Sequence, residues 1–192
     1  MKKKFLLNLC LFPISLLSVG FFQLNIFNLI SSPAVHATNW NAYNKHVENG
    51  RRNLNNGNYQ KAIDFYNKAL KMYKRDGAIF YNRALSNYEL GNYKEAIEDY
   101  KEALNLEDKM RSAITHLNIG NSYKEIEEYE KALFHINKAI SIKPNEGFYH
   151  LDRGYLYWEL EKWDEALKDF ETAKSKFLKK KEKIDEYFYN DI

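Results

Sequence analysis

Apolar residues recur along this chain with the step of a helix. From Gly57 the run GNYQKAIDFYNKAL places Tyr59, Ala62, Tyr66 and Ala69 at intervals of three, four and three residues. All four therefore share one helical face. The run GNYKEAIEDYKEAL, beginning at Gly91, repeats the pattern with Tyr93, Ala96, Tyr100 and Ala103. Weaker copies start at Glu127, with Tyr129, Ala132, Ile136 and Ala139, and at Glu161, with Trp163, Ala166, Phe170 and Ala173. Successive starts lie 34, 36 and 34 residues apart, and self-similarity at such a period marks a repeat array.

A second helical stretch precedes each run: YNKHVENGRRNLNN, GAIFYNRALSNYEL, AITHLNIGNSYKEI and GFYHLDRGYLYWEL. Each unit thus predicts two helices of about 13 to 15 residues joined by a tight turn. Gly50, Ala84, Gly120 and Gly154 stand seven residues before the turn. Small side chains there, and Ala132 opposite Gly120, let the paired helices approach to the short end of the usual range of about 8 to 10 Å. Gly57 and Gly91 occupy the turn, where the residue past a helix end often takes positive φ. Glu127 and Glu161 hold the same place. Left-handed backbone there would cost on the order of 1 kcal/mol for each glutamate.

The pattern resembles the tetratricopeptide repeat, whose signature runs W-x2-L-G-x2-Y, A-x3-F, then A and P. The third unit carries Ile119-Gly120, Tyr123, Ala132, Ala139 and Pro144, and the fourth Gly154, Tyr157, Ala166, Phe170 and Ala173. The second departs with Asn87 and Asp108 in the tyrosine and proline slots, the first with Asn49, Asn53 and Lys74. The resemblance implies an all-α fold, a right-handed superhelical α-solenoid of antiparallel helix pairs. Four repeats are expected at 43–76, 77–112, 113–146 and 147–176. The polar first helix suits an end cap, since terminal repeats turn a polar surface outward. At the other end Phe177, Ile184 and Phe188 share a stripe. They predict a capping helix and tail at 177–192, with Lys179–Lys181 on a solvated face.

Residues 1–37 are different material. Lys2, Lys3 and Lys4 precede an apolar stretch from Phe5 to Ile30, which ends in Ser31-Ser32-Pro33-Ala34-Val35-His36-Ala37. A basic start, an apolar middle and small residues at a cut site form the secretory signal pattern, with cleavage before Thr38. The stretch is also long enough to span a bilayer, so retention as an anchor is the alternative. Residues 38–42 read as a short linker. Removing the segment takes away three lysines and the single cysteine, Cys10, leaving 26 basic and 26 acidic residues. A balanced chain has no bulk attraction for nucleic acid, and membrane contact is expected only through the N-terminal segment. Without cysteine it forms no disulfide and needs no particular redox compartment.

Motifs of catalysis are missing: there is no phosphate-binding glycine loop, no Gly-x-Ser-x-Gly and no paired-histidine metal motif. Neither a catalytic residue nor a cofactor is expected, and no small-molecule substrate is implied. His46, His116 and His150 recur at one slot, which is Phe80 in the second repeat. Equivalent residues of stacked repeats stand roughly a helix spacing apart, about 10 Å. One zinc ion needs its ligands near 2 Å, so these are packing histidines and no metal is expected.

In the family resembled, first helices line a concave surface that grips an extended peptide or a partner helix. Mapped here, that surface carries Val47, Glu48 and Arg51, then Tyr81, Asn82, Leu85 and Tyr88. It continues with Leu117, Asn118, Asn121 and Lys124, then Leu151, Asp152, Tyr155 and Trp158. Asn82 and Asn118 are suited to bonding a peptide backbone, and Tyr88, Tyr155 and Trp158 to anchoring side chains. The family's chaperone-binding clamp is not reproduced, because Val47, Arg51, Ile114 and Asn118 replace four of its five residues and only Asn82 remains. The expected role is a non-catalytic scaffold for proteins or peptides, exported or membrane-anchored, assisting assembly of an envelope or membrane complex. Accessory subunit of an envelope enzyme complex is the other reading.

Overall fold

The structure is a computed structural model that describes residues 33–106 and 112–189, with side chains described for 37–106 and 112–181. The expectation of a signal or anchor at Phe5–Ile30 lies outside the described residues. Within them, no helix is long and apolar enough to cross a membrane.

The described residues form eight helices: α1 (Pro33–Asn55), α2 (Tyr59–Met72), α3 (Gly77–Glu89), α4 (Tyr93–Leu106), α5 (Ser112–Glu125), α6 (Tyr129–Ile142), α7 (Gly147–Glu159) and α8 (Trp163–Tyr189). The chain divides into two compact units at Lys45 and His46. In the first, α1 begins and Trp40 stacks on Tyr43 with ring centroids 5.2 Å apart. In the second, α3 packs on α4, α5 on α6 and α7 on α8, and each pair meets the next through α2 with α3, α4 with α5, and α6 with α7. The arrangement is the all-α solenoid of helix pairs that the period predicts.

Two segments differ from the reading of the sequence. Residues 38–42 are no linker but part of α1, which starts at Pro33. Proline is favoured in the first helical turn, and no glycine or second proline interrupts the chain before Gly50. At the other end no separate capping helix forms among the described residues. Residues 177–189 continue α8 without a break, because nothing between Trp163 and Tyr189 stops a helix. Ile184 and Phe188 of the expected stripe lie beyond the described side chains.

Four turns close the helix pairs in one way. Asn58, Asn92, Glu128 and Lys162 each donate a backbone N–H to the carbonyl five residues back, at 2.8 to 2.9 Å. The preceding residues, Gly57, Gly91, Glu127 and Glu161, donate to the carbonyl three back at 2.9 to 3.1 Å. This double closure requires a left-handed residue. The φ values are +73° at Gly57, +79° at Gly91, 62° at Glu127 and 57° at Glu161. Both glutamates thus carry left-handed backbone strain, the alternative the sequence left open. Asp76 supplies the opposite end of α3, its carboxylate accepting from the N–H groups of Ala78 and Ile79 at 3.0 and 3.2 Å.

Close approach governs each pair. A Cβ added at Gly50 would lie 2.5 Å from the Tyr66 ring, at Gly120 2.7 Å from Ile136, and at Gly154 2.7 Å from Phe170. At Gly120 it would also meet the Ala132 carbonyl at 3.1 Å, so backbones as well as side chains are near contact. Ala62, Ala69, Ala96, Ala103, Ala132 and Ala139 are all fully buried.

The turns generate a paired test by urea denaturation. Gly91→Ala meets no steric contact, so its loss of roughly 1 to 2 kcal/mol comes from the left-handed backbone alone. Glu127→Gly relieves the same strain and gains up to about 1 kcal/mol, less the added freedom of the unfolded chain. Loss of stability in both variants would show that this geometry does not hold the turns.

Candidate protein-binding face

The first helices α3, α5 and α7 are tied to one another by side chains. Asn118 on α5 donates its amide to the Tyr81 hydroxyl on α3 at 3.0 Å. Asn121, one turn along α5, reaches the Asp152 carboxylate on α7 at 3.5 Å. Lys124 at the end of α5 lies 3.5 Å from Glu159 and 3.6 Å from Glu125. These links run between helices that belong to different repeats. They join Tyr81 to Asn118, Asn121 to Asp152 and Lys124 to Glu159 across adjoining repeats.

The individual positions divide. Tyr81 is half-buried, its ring edge-on to Tyr100 at 5.5 Å. Leu117 is buried in the core between repeats and takes no part in an open surface. Its slot holds Tyr81 in the second repeat, and a leucine is short enough to sink where a tyrosine reaches out. Asn82 and Leu85 are half-buried. Asn118 is half-buried too, with its amide nitrogen engaged by the Tyr81 hydroxyl. Tyr155 and Trp158 are more than half exposed, at 54% and 57%. Tyr155 rests edge-on against Phe170 and Trp158 against Trp163. Rings held so firmly at one edge lose little freedom on binding with the other.

Electrostatics sharpen the upper end of this face. Burial pushes the Tyr88 phenol up to about 12, with Glu125, Tyr93, Glu89 and Asp152 adding to the effect. Tyr88 also stands edge-on to Tyr93 at 5.3 Å. Burial raises the Asp152 carboxyl too, partly offset by Asn121 and Lys124.

On another part of each repeat the structure shows two matching polar clasps that the reading of the sequence missed. Arg83 donates from Nε and one terminal nitrogen to both oxygens of Asp99, at 2.7 and 2.6 Å, and from the other to Asn67 at 2.6 Å. Arg153 does the same to Asp169, at 2.7 Å twice, and to Asn137 at 2.5 Å. Bidentate guanidinium–carboxylate pairs of this kind fix geometry as well as charge. Asn67, Arg83 and Asp99 are 16 residues apart, as are Asn137, Arg153 and Asp169, so the signal was present in the spacing. The equivalent slots between the second and third repeats hold Lys101, Ile119 and His135, and the clasp cannot form there.

What replaces it is a histidine pair. His116 and His135 approach with their Nδ1 atoms 3.0 Å apart, one ring donating its N–H to the lone pair of the other. Tyr123 and Phe134 pack on the His135 ring at 5.6 and 5.2 Å. Burial, then the proximity of His116 and Lys101, holds the His135 imidazole down to about 4. Burial and Lys138 lower His116 as well. The recurring histidines thus each face the residue 19 positions on: His46 packs on Phe65, His116 bonds His135, and His150 lies 3.4 Å from Asp169. Among the described residues, no group of three or more potential ligands gathers to hold a metal.

Comparison with known proteins agrees with this architecture. Two models of the tetratricopeptide repeat match the chain, one over residues 75–145 and one over 53–76. Residues 53–145 are thus matched as tetratricopeptide repeats. Among solved structures it is similar to MamA, at 24% identity and a TM-score of 0.67, covering 73% of this chain and 81% of that one. MamA from Desulfovibrio magneticus RS-1, residues 41 to the end, gives 20% identity, coverages of 71% and 76%, and a TM-score of 0.67. YrrB, described as a TPR protein with an unusual peptide-binding site, gives 20% identity, coverages of 68% and 66%, and 0.58. At these identities the likeness is one of fold. No curated protein matches the chain.

The histidine pair sets the sign of a pH effect. Both rings titrate below the ordinary histidine value of about 6.5, so the unfolded chain binds more protons between about pH 6.5 and 4. Stability is complete above that window and falls as pH drops through it, by roughly 1 to 2 kcal/mol for His135. His135→Phe keeps the ring packing and removes the proton site. Its urea midpoint is expected to fall less than that of the unmodified chain between pH 7 and pH 4.5. Parallel loss in both would place the acid sensitivity elsewhere.

Proposed function

We propose that this protein binds a peptide segment or helix of a partner protein along the face of α3, α5 and α7. The carrying observation is that the inter-helix links Asn118–Tyr81 and Asn121–Asp152 preorganise that face while Tyr155 and Trp158 stay open. Preorganised polar groups and rigid aromatic rings reduce the ordering cost of binding. Tetratricopeptide-repeat proteins serve as interaction scaffolds, and a similarly folded one, YrrB, is described as having a peptide-binding site. No step of chemistry is assigned to the chain.

The N-terminal segment supports a place of work outside the compartment of synthesis or on its membrane. Cleavage before Thr38 would also remove the first five residues of α1, Pro33 to Ala37. A mature chain beginning at Thr38 would establish release; one that still contains Phe5–Ile30 would establish tethering. In either case the reading assigns a role in holding components of an envelope or membrane complex together.

Affinity capture with the full chain, from an envelope fraction and with mass spectrometry, tests the face. Trp158→Ala, which truncates a central aromatic anchor, is expected to reduce recovery of the bound partner by about tenfold or more. Glu48→Ala, whose carboxylate is exposed and paired with Arg51, is expected to leave it unchanged. Equal recovery by the two folded variants would move the binding site off this face.

A further inference from the structure

The last repeat presents to solvent the surface that every earlier repeat covers. On the second helix of each repeat, one slot holds Ile63, Ile97, Leu133 and Leu167. The first two are buried at 8% and 3% and Leu133 is half-buried, but Leu167 is 58% exposed. Trp163, Phe177 and Leu178 on the same helix are exposed by 53%, 43% and 51%. Between α7 and α8, Leu151, Phe170, Ala173, Phe177 and Leu178 line an open cavity of about 370 Å³. Because α8 runs on as one helix, no separate helix turns back over this face within the described residues.

The occupied interfaces say what shape fits there. In each, the following first helix buries two residues seven apart, Ile79 and Ser86, Thr115 and Ser122, or Tyr149 and Leu156, and places Leu90, Ile126 or Leu160 four further on at the rim. Tyr149 and Leu156 join the buried cluster of Leu117 and Ile136, with Leu160 packed against it. The open face is therefore a seat for an amphipathic helix with small or apolar residues at i, i+7 and i+11.

Charge decides which helix. The charged side chains that line the cavity are Lys174 and Lys181, two turns apart on α8. The slot of Lys174 holds Leu70, Leu104 and Ile140 in the other repeats, so the cation belongs to this end alone. A second copy stacked head to tail would offer α1, whose residues at the inserting slots are Lys45, Arg52 and Asn56, all exposed. Those would bring polar groups and like charges onto an apolar face with two lysines. We infer that the α7–α8 end is a second docking surface, for an amphipathic helix of another protein flanked by acidic residues. It adjoins the first-helix face proposed above, sharing Leu151 with it, and rests on the second helix α8.

The test uses the full chain and two synthetic 18-residue helical peptides with leucine at i, i+7 and i+11. One carries two glutamates seven residues apart on the flank, the other two lysines in their place. Binding is read by anisotropy of labelled peptide and by fluorescence of Trp158 and Trp163. The acidic peptide is expected to bind at least about tenfold more tightly at low salt, the margin shrinking as salt screens the charges. Leu167→Glu, at an exposed position that leaves the fold intact, is expected to abolish binding; Lys71→Ala, exposed on α2, is expected to leave it unchanged. Equal binding of the two peptides, no binding of either, or binding that survives Leu167→Glu would overturn the inference. So would sedimentation as a dimer that Leu167→Glu dissolves, since a second copy would then occupy the seat.

Discussion

The fold depends on how closely the two helices of each pair can lie. Gly50, Gly120 and Gly154 leave no room for even a methyl group against Tyr66, Ile136 and Phe170. In the second repeat Ala84 and Tyr100 meet at the same place, both buried. That contact brings each first helix down onto its partner. The alanines of the second helix, two turns apart, keep the line of contact narrow along its length. Once the pair is locked, its remaining apolar residues face outward and need a neighbour, which is why the units stack.

Stacking then separates positions by task. The slots that recur, small residues and aromatics, make pairs and turns. The slots that vary make the links between repeats, and each interface solves its problem differently. Arg83 and Arg153 clasp aspartate and asparagine across two of them, while His116 and His135 stand in the interface that lacks the arginine. The first-helix face varies most freely, from Val47 and Arg51 at one end to Tyr155 and Trp158 at the other. A protein whose chemistry consists of holding partners has its identity in these variable residues.

Much of this was legible in the letters. The period and the alanine–aromatic stripe located every helix pair, while glutamate in a glycine's place left open whether the turns at Glu127 and Glu161 are left-handed, as they are. Of the groove positions, Leu117 sank into the core, because a slot's burial depends on the neighbouring repeat and not on its own pattern. The clasps were missed because they join three helices, so no single helical period reports them. His135 escaped attention for the same reason: its partner lies 19 residues away on another helix. The ends were misread where no residue stops a helix, at α1 and α8, since a repeat pattern gives no length for a terminal element.

The central claim is a stack whose interior repeats are covered on both sides and whose last repeat is open among the described residues. Native-state hydrogen exchange of the full chain measures this most directly, because protection follows the free energy of local opening. Amides of α4, α5 and α6 are expected to exchange at least about tenfold more slowly than those of α8 between Trp163 and Phe170. Equal protection of α8 would contradict the account, since it would mean that the terminal face is covered or that the repeats do not support one another.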